Sequence, residues 1–150
     1  MIIDEENIQR NIERIIKAEK VGSYNLINEI LSKKRINWYE QNKSKLNLMG
    51  SDPRKAYQMI LLEYMGLNPN EVPVVFENKK RITWNSYNWC PVLEACKRLN
   101  LDTRKICKAG WENSVQEMVE LINPKLEFSR NYNILRPHGD YCEETIELLN

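Results

Sequence analysis

The period of the hydrophobic pattern changes at residue 67, and this change limits the chain to folds that combine helices with a sheet. Before it, apolar side chains recur at helical spacing over about residues 4–20 and again over about residues 23–46. Ser51-Asp52-Pro53 predicts the start of a third helix and Gly66 its end. We expect this largely apolar helix to be the buried centre of the N-terminal half, which is therefore predicted to be helical.

Alternation of apolar and polar residues takes over after residue 67. Val74 and Phe76 alternate with polar neighbours, Ile82 and Trp84 do so again after a turn at residues 78–80, and the pattern predicts a β-hairpin. Helices are expected at about residues 90–99 and 102–122, and a second strand pair at residues 126–134 and 141–149. The sequence therefore predicts one α+β domain over residues 1–150, with a helical part (1–66) and a cysteine-containing part (67–150). In the latter part, an antiparallel sheet of two hairpins carries helices on one face.

Charge and hydropathy remove several functional classes. The 22 lysines and arginines nearly balance the 21 acidic residues, so the net charge of +1 provides no field that attracts nucleic acid or a membrane surface. No apolar run approaches the roughly 20 residues of a membrane-spanning helix, and the stretch from Met1 to Glu6 turns acidic too early for a signal peptide. We expect a cytoplasmic protein that binds neither nucleic acid nor membrane, and the sequence leaves a homo-oligomer open.

Four cysteines lie in the C-terminal part, and the first 89 residues have none. We expect free thiols, because cytoplasmic proteins rarely keep disulfides. Cys90 precedes Pro91 at a predicted helix start, where the helix dipole favours a thiolate, and it is the best nucleophile candidate. Cys107 and Cys142 follow it, and Cys96 is assigned to the core.

The turn at residues 136–144 carries the densest group of chemically useful side chains. His138 is the single histidine of the chain, and Asp140 and Cys142 follow within four residues. A turn on a rigid sheet can aim an imidazole, a carboxylate and a thiol into one volume. The alternative is that Gly139 and Asp140 only shape the turn, while the other two residues are solvated or packed.

A metal site is a second possibility for the same residues. Cys90, Cys107, His138 and Cys142 are a sufficient ligand set for tetrahedral zinc if the fold brings them together. No C-x-x-C pair supports this arrangement, so we expect no cofactor and keep zinc as the alternative.

Arg130 and several aromatic residues are candidates for binding a ligand. Strand alternation places Arg130 on an apolar face, where a partly buried guanidinium needs an anion, namely Asp140, a glutamate or the carboxylate of a ligand. Trp84, Trp89 and Tyr132 can wall a small pocket beside it, and they can equally be core residues.

The run Trp89-Cys90-Pro91, then Cys107, the strand at residues 128–135 and the closing Gly139-Asp140-Tyr141-Cys142 resemble the L-2-amino-thiazoline-4-carboxylic acid hydrolase-like family. More distantly, the strand and helix order with its closing Gly-Asp-x-Cys looks like the vinyl-4-reductase small-molecule-binding domain. The resemblance covers roughly residues 82–149.

This resemblance implies a small-molecule hydrolase that opens a cyclic C–N or amidine-type bond in a substrate bearing a carboxylate. In such an enzyme a Cys90 or Cys142 thiolate attacks the ring carbon, His138 or Asp140 moves protons, and Arg130 holds the carboxylate. The rival interpretation is a non-catalytic sensory module that holds a small ligand or a metal in the same pocket. A purely structural domain is the third.

Overall fold

Residues 3–150 form six α-helices and a four-stranded antiparallel sheet in the computed structural model, which confirms the predicted α+β class. Met1 and Ile2, at the start of the acidic N-terminal stretch, lie outside the described residues. No helix within residues 3–150 is long and apolar enough to cross a membrane. The helices are α1 (Glu5–Val21), α2 (Asn25–Asn42), α3 (Asp52–Tyr57), α4 (Pro91–Leu99), α5 (Thr103–Gly110) and α6 (Glu112–Val119), and the strands are β1 (Val74–Glu77), β2 (Arg81–Ser86), β3 (Leu126–Arg130) and β4 (Cys142–Leu148).

Local capping fixes the ends of the first helix, close to the predicted range of about residues 4–20. The Asp4 side chain accepts a hydrogen bond from the backbone N–H of Asn7 at 3.0 Å, and Glu5 and Glu6 occupy the first turn, where the helix dipole favours acids. Gly22 ends the helix with φ of +79°, a left-handed conformation that glycine adopts without a side-chain clash.

The third helix differs from the prediction in both form and position. Ser51 caps it by accepting from the N–H of Arg54 at 3.3 Å, but from Gln58 to Tyr64 the helix continues as a π-helix. It packs on the sheet instead of at the centre of the N-terminal half, with the Tyr57 ring edge-on to Trp84 at a centroid distance of 5.3 Å. Its nearly continuous apolar surface is therefore matched by the apolar face of the sheet.

The sheet has the strand order β1-β2-β4-β3, with every neighbouring pair antiparallel. The first hairpin is present, and β3 and β4 form the second antiparallel pair of consecutive strands, joined by the long connection 131–141. β3 stops at Arg130, which leaves Tyr132 and Ile134 of the predicted strand in this connection.

Helices cover one face of the sheet, as predicted, and leave a polar face on the other side. Ile82, Trp84, Phe128 and Ile146 point into the core under α3 and α6. A second core joins α1, α2, α4 and α5 around residues such as Ile15 and Ile106. The single helix predicted over residues 102–122 is divided into α5 and α6 at Trp111, whose side chain is buried in this second core. A cavity opens at the seam between the two cores and is lined by residues of both.

Candidate functional site

A cavity of about 220 Å³ lies between the helix-covered face of the sheet and the surrounding helices. Its walls are mainly apolar and come from the π-helix, β2, β3 and the helices α4 to α6. They include Ile60, Leu61, Trp84, Trp111, Val115 and Phe128. π-Helical segments often occur at functional sites, and here the segment supplies two of these wall residues.

A charged network crosses the sheet on the side that faces the cavity. The register places Glu144 of β4 opposite both Trp84 of β2 and Arg130 of β3. Arg130 Nε donates to Glu144 Oε2 at 3.1 Å, the Ser86 hydroxyl donates to Glu144 Oε1 at 2.7 Å, and the Trp84 indole N–H donates to the Ser86 oxygen at 3.1 Å. The side chains of Arg130 and Glu144 are only 13% and 12% exposed, so this is a buried ion pair.

Cationic groups outnumber anionic ones in the lining. Arg35 from α2 and Arg136 from the 131–141 connection join Arg130, and Glu144 is the single carboxylate among the described lining residues. Arg35 donates to the Ser114 hydroxyl at 2.7 Å, and Arg136 donates to the backbone oxygen of Asn88 at 2.7 Å. Each of these two arginines therefore has a neutral acceptor, so neither of these bonds cancels its charge.

Two guanidinium nitrogens of the cavity have no hydrogen-bond partner within residues 3–150. Arg130 Nη1 and Arg35 Nε are both buried and unpaired. Burial lowers the pKa of Arg35, because desolvation disfavours its charged form. For Arg130, burial also pushes the pKa down, but the attraction of Glu144 and other neighbours is stronger in sum, and the pKa is raised above its ordinary value.

The thiols at the cavity are protonated at neutral pH in this environment. The Cys90 sulfur caps α4 by accepting from the N–H of Leu93 at 3.5 Å, but burial raises the pKa of Cys90 more than this bond lowers it. Burial also raises the pKa of Cys107 to about 12. Cys96 is fully buried in the helical core, where its sequence position assigned it.

The predicted catalytic residues of the turn do not meet at the cavity. Cys142 lies beside Arg136, with its sulfur 3.3 Å from Nε, but it is outside the lining. His138 and Asp140 are exposed, and the His138 ring contacts Asp102 at 3.3 Å on the surface. Closeness along the chain did not translate into a shared site, because the turn carries these two side chains outward.

The zinc ligand set is not assembled either. No group of three or more His, Cys, Asp or Glu side chains in residues 3–150 is placed to hold a metal ion. Cys90 and Cys107 line the cavity, whereas His138 is on the surface beside Asp102. All four cysteines are free.

The three aromatic residues predicted to wall the pocket are also only partly brought together by the fold. Trp84 lines the cavity, but Trp89 and Tyr132 do not, and the Tyr132 hydroxyl donates to Glu112 at 3.0 Å instead. Sequence reasoning missed Arg35, and within the stretch 136–144 it did not select Arg136 or Glu144. For Arg35 a signal was present, since it follows the buried Leu31 by one helical turn.

No family model matches the chain, and neither a curated protein nor a solved structure matches it. The resemblance to the hydrolase-like family therefore stays a prediction. Fold and cavity together define an α+β protein with a buried, arginine-rich site, and the chemistry of that site supports the functional proposal.

Proposed function

We propose that the protein binds a small anionic molecule with an apolar body in the cavity around Arg130. The observation that carries this proposal is a pair of buried, unpartnered guanidinium nitrogens, Arg130 Nη1 and Arg35 Nε, on two residues that line a largely apolar cavity. Buried donors and charges normally have partners, because leaving them unpaired costs free energy. A carboxylate or phosphate in the cavity supplies both the acceptor and the missing negative charge.

The carboxylate of Glu144 does not supply the missing acceptor and negative charge. Both oxygens of Glu144 already accept hydrogen bonds, one from Arg130 and one from Ser86. With three guanidinium groups and one carboxylate in the lining, the cavity carries an excess of two positive charges. We therefore expect a ligand with one or two negative charges at the end that meets the arginines.

Size and lining limit the remainder of the ligand. A cavity of about 220 Å³ limits the ligand to a small molecule, such as a single substituted ring. Trp84, Trp111 and Phe128 present flat apolar surfaces to it. An aromatic or branched aliphatic carboxylate fits both limits.

The cavity thiols favour a ligand-binding function over a catalytic one, because burial disfavours the thiolate that catalysis needs. A hydrolase that opens a C–N bond through cysteine needs a thiolate and a group to move protons. Cys90 lines the cavity, but burial raises its pKa, and the only histidine of the chain is at the surface beside Asp102. We accordingly propose the ligand-binding module, with hydrolysis of a cyclic C–N bond as the alternative that turnover measurements would reveal.

Thermal unfolding in the presence of benzoate and of its neutral isostere benzamide tests this proposal. A ligand at a hundred times its Kd stabilises the native state by about 2.7 kcal/mol. For a chain of this length we expect Tm to rise by about 5 °C or more with saturating benzoate. Benzamide should leave Tm nearly unchanged, because it lacks the negative charge.

Two variants test whether the Tm shift comes from benzoate bound in the cavity. Arg136→Gln removes a cavity guanidinium without breaking the Arg130–Glu144 pair, and it should cut the Tm shift by at least half. Arg81→Gln is the matched control, because Arg81 is exposed at the end of β2 and lies outside the lining. Equal shifts with benzamide, or an equal loss in both variants, would overturn the proposal.

A further inference from the structure

An apolar groove of about 320 Å³ lies between helices α1 and α2, and none of its lining residues lines the cavity. Ala18 and Ile27 form its buried floor. Val21, Leu26 and Ile30 wall it and remain 69%, 46% and 44% exposed. Large apolar side chains gathered in one exposed groove typically mark an interaction site.

Basic residues border this α1–α2 groove along α1. Arg10, Arg14 and Lys17 follow one another by one helical turn, and Glu13 is the single acid among the described groove residues. Desolvation, reinforced by repulsion from Arg10, lowers the pKa of Arg14. The rim therefore favours a negatively charged occupant.

We propose that the α1–α2 groove docks an acidic amphipathic helix of a partner protein. Such a helix lays its apolar side chains between Leu26 and Val21 and turns glutamates or aspartates toward Arg10, Arg14 and Lys17. The groove follows α1 from Arg10 to Val21, which is about 17 Å at 1.5 Å per residue, so the bound helix has about three turns.

The shape of the groove favours a helix, and not a lipid surface, as its occupant. Its apolar residues surround a concave space with a buried floor, whereas a bilayer accepts apolar side chains that project outward from a convex or flat face. Packing a third helix into the space between two others is the ordinary way in which such a groove is filled.

The acidic segments of this chain are poorly placed to fill the groove of a second copy. The acidic first turn of α1 belongs to a helix whose Ile8 and Ile15 are fully buried. Helix α6, which carries two glutamates, buries Met118 and Val119 in the core against the sheet. Either helix would have to leave its own core to dock, whereas an acidic helix of a different protein has no such cost.

Fluorescence anisotropy with a labelled synthetic helix tests the proposal. The probe has about 14 residues, enough for the three turns of the groove with an extra turn, with leucines on one face and glutamates on the adjacent flank. A second peptide carries lysines in place of the glutamates. We expect saturable binding of the glutamate peptide and at least about tenfold weaker binding of the lysine peptide, equivalent to about 1.4 kcal/mol.

Three variants of the full chain test whether the peptide binds in the α1–α2 groove. Ile30→Glu should weaken binding of the glutamate peptide about tenfold or more, while Ile16→Glu should leave it unchanged, because Ile16 is 51% exposed on α1 but outside the groove. Arg14→Glu should reverse the preference between the two peptides. Circular dichroism confirms that each variant is folded.

Four results would overturn the proposal. They are an absence of saturable peptide binding, an equal loss in Ile16→Glu, a protein dimer in sedimentation that Ile30→Glu dissociates, and binding to phosphatidylserine vesicles that Ile30→Glu abolishes. The third result would assign the groove to self-association, and the fourth would assign it to a membrane surface.

Discussion

Removing both partners of the Arg130–Glu144 pair should cost much less than the sum of the two single removals. The two side chains are 13% and 12% exposed and joined at 3.1 Å, so removing either one leaves the other buried without its hydrogen-bonded ionic partner. Removing one partner of a buried ion pair costs about 3–5 kcal/mol. We expect Arg130→Met and Glu144→Gln each to lose about 3 kcal/mol, since the glutamine oxygen still accepts from Ser86.

The double variant tests whether the loss belongs to the pair. Because it removes both charges together, its destabilisation should be smaller than the sum of the single losses by about 2–3 kcal/mol. Urea unfolding followed by circular dichroism measures all four free energies of unfolding, and Tm should move by roughly 2–4 °C for each kcal/mol.

A solvent-exposed pair in the same sheet serves as the control. Arg81 and Glu147 lie 3.9 Å apart and are nearly half exposed, and exposed pairs couple by about 0–1 kcal/mol. The equivalent cycle of Arg81→Met and Glu147→Gln should therefore show little coupling. Similar coupling energies in the two cycles would refute the assignment of Arg130 and Glu144 as a buried charge pair.

Three further predictions concern a thiol, an ion pair and a glycine. Cys107, with its pKa at about 12, should react with iodoacetamide at pH 8 about a thousandfold more slowly in the native protein than after unfolding in urea; comparable rates measured by mass spectrometry would contradict its burial. The hydrogen bond from Arg54 lowers the pKa of Glu77, so this pair stabilises the protein fully above the ordinary pKa near 4.5, and the contribution is lost as pH falls through the lowered pKa. Glu77→Gln should therefore reduce the free energy of unfolding by up to about 1 kcal/mol at pH 7 and by nothing in strong acid, and a pH-independent difference would contradict this origin. A Cβ added at Gly139 would lie 2.5 Å from the backbone oxygen of Ile134, so Gly139→Ala should cost about 1–3 kcal/mol in urea unfolding, and an unchanged midpoint would show that the turn is free to shift.

Local patterns account for much of the fold. The extent of α1, the start of α3 and the β1–β2 hairpin depend on residues close together in the chain, and local sequence patterns predict them. The π-helical form of Gln58–Tyr64 has no such local cause in the pattern. It belongs to a segment held against the sheet by residues far away, so only the tertiary packing reveals it.

The candidate site was predictable only in part, because it also depends on contacts between residues that are far apart in the sequence. Strand alternation placed Arg130 on the buried face, and a glutamate was among its expected partners. Which glutamate it is depends on the β3–β4 register, which pairs Arg130 with Glu144 across a long connection. His138 and Asp140 were expected to point into a shared site because they are close in the sequence. Spacing along a turn does not determine whether side chains point inward, and both residues are exposed.

The most direct test of the anion-binding proposal is to observe the arginine side chains themselves. Nitrogen-15 NMR resolves the Nε–H groups of arginines, and Arg35→Gln and Arg130→Met assign the two that face the cavity. We predict that benzoate shifts the Nε–H signals of Arg35 and Arg130 in a saturable way, because the free Nε of Arg35 and the free Nη1 of Arg130 both gain an acceptor. Benzamide should not do so. Shifts confined to exposed arginines such as Arg81, or no shifts at all, would contradict the account.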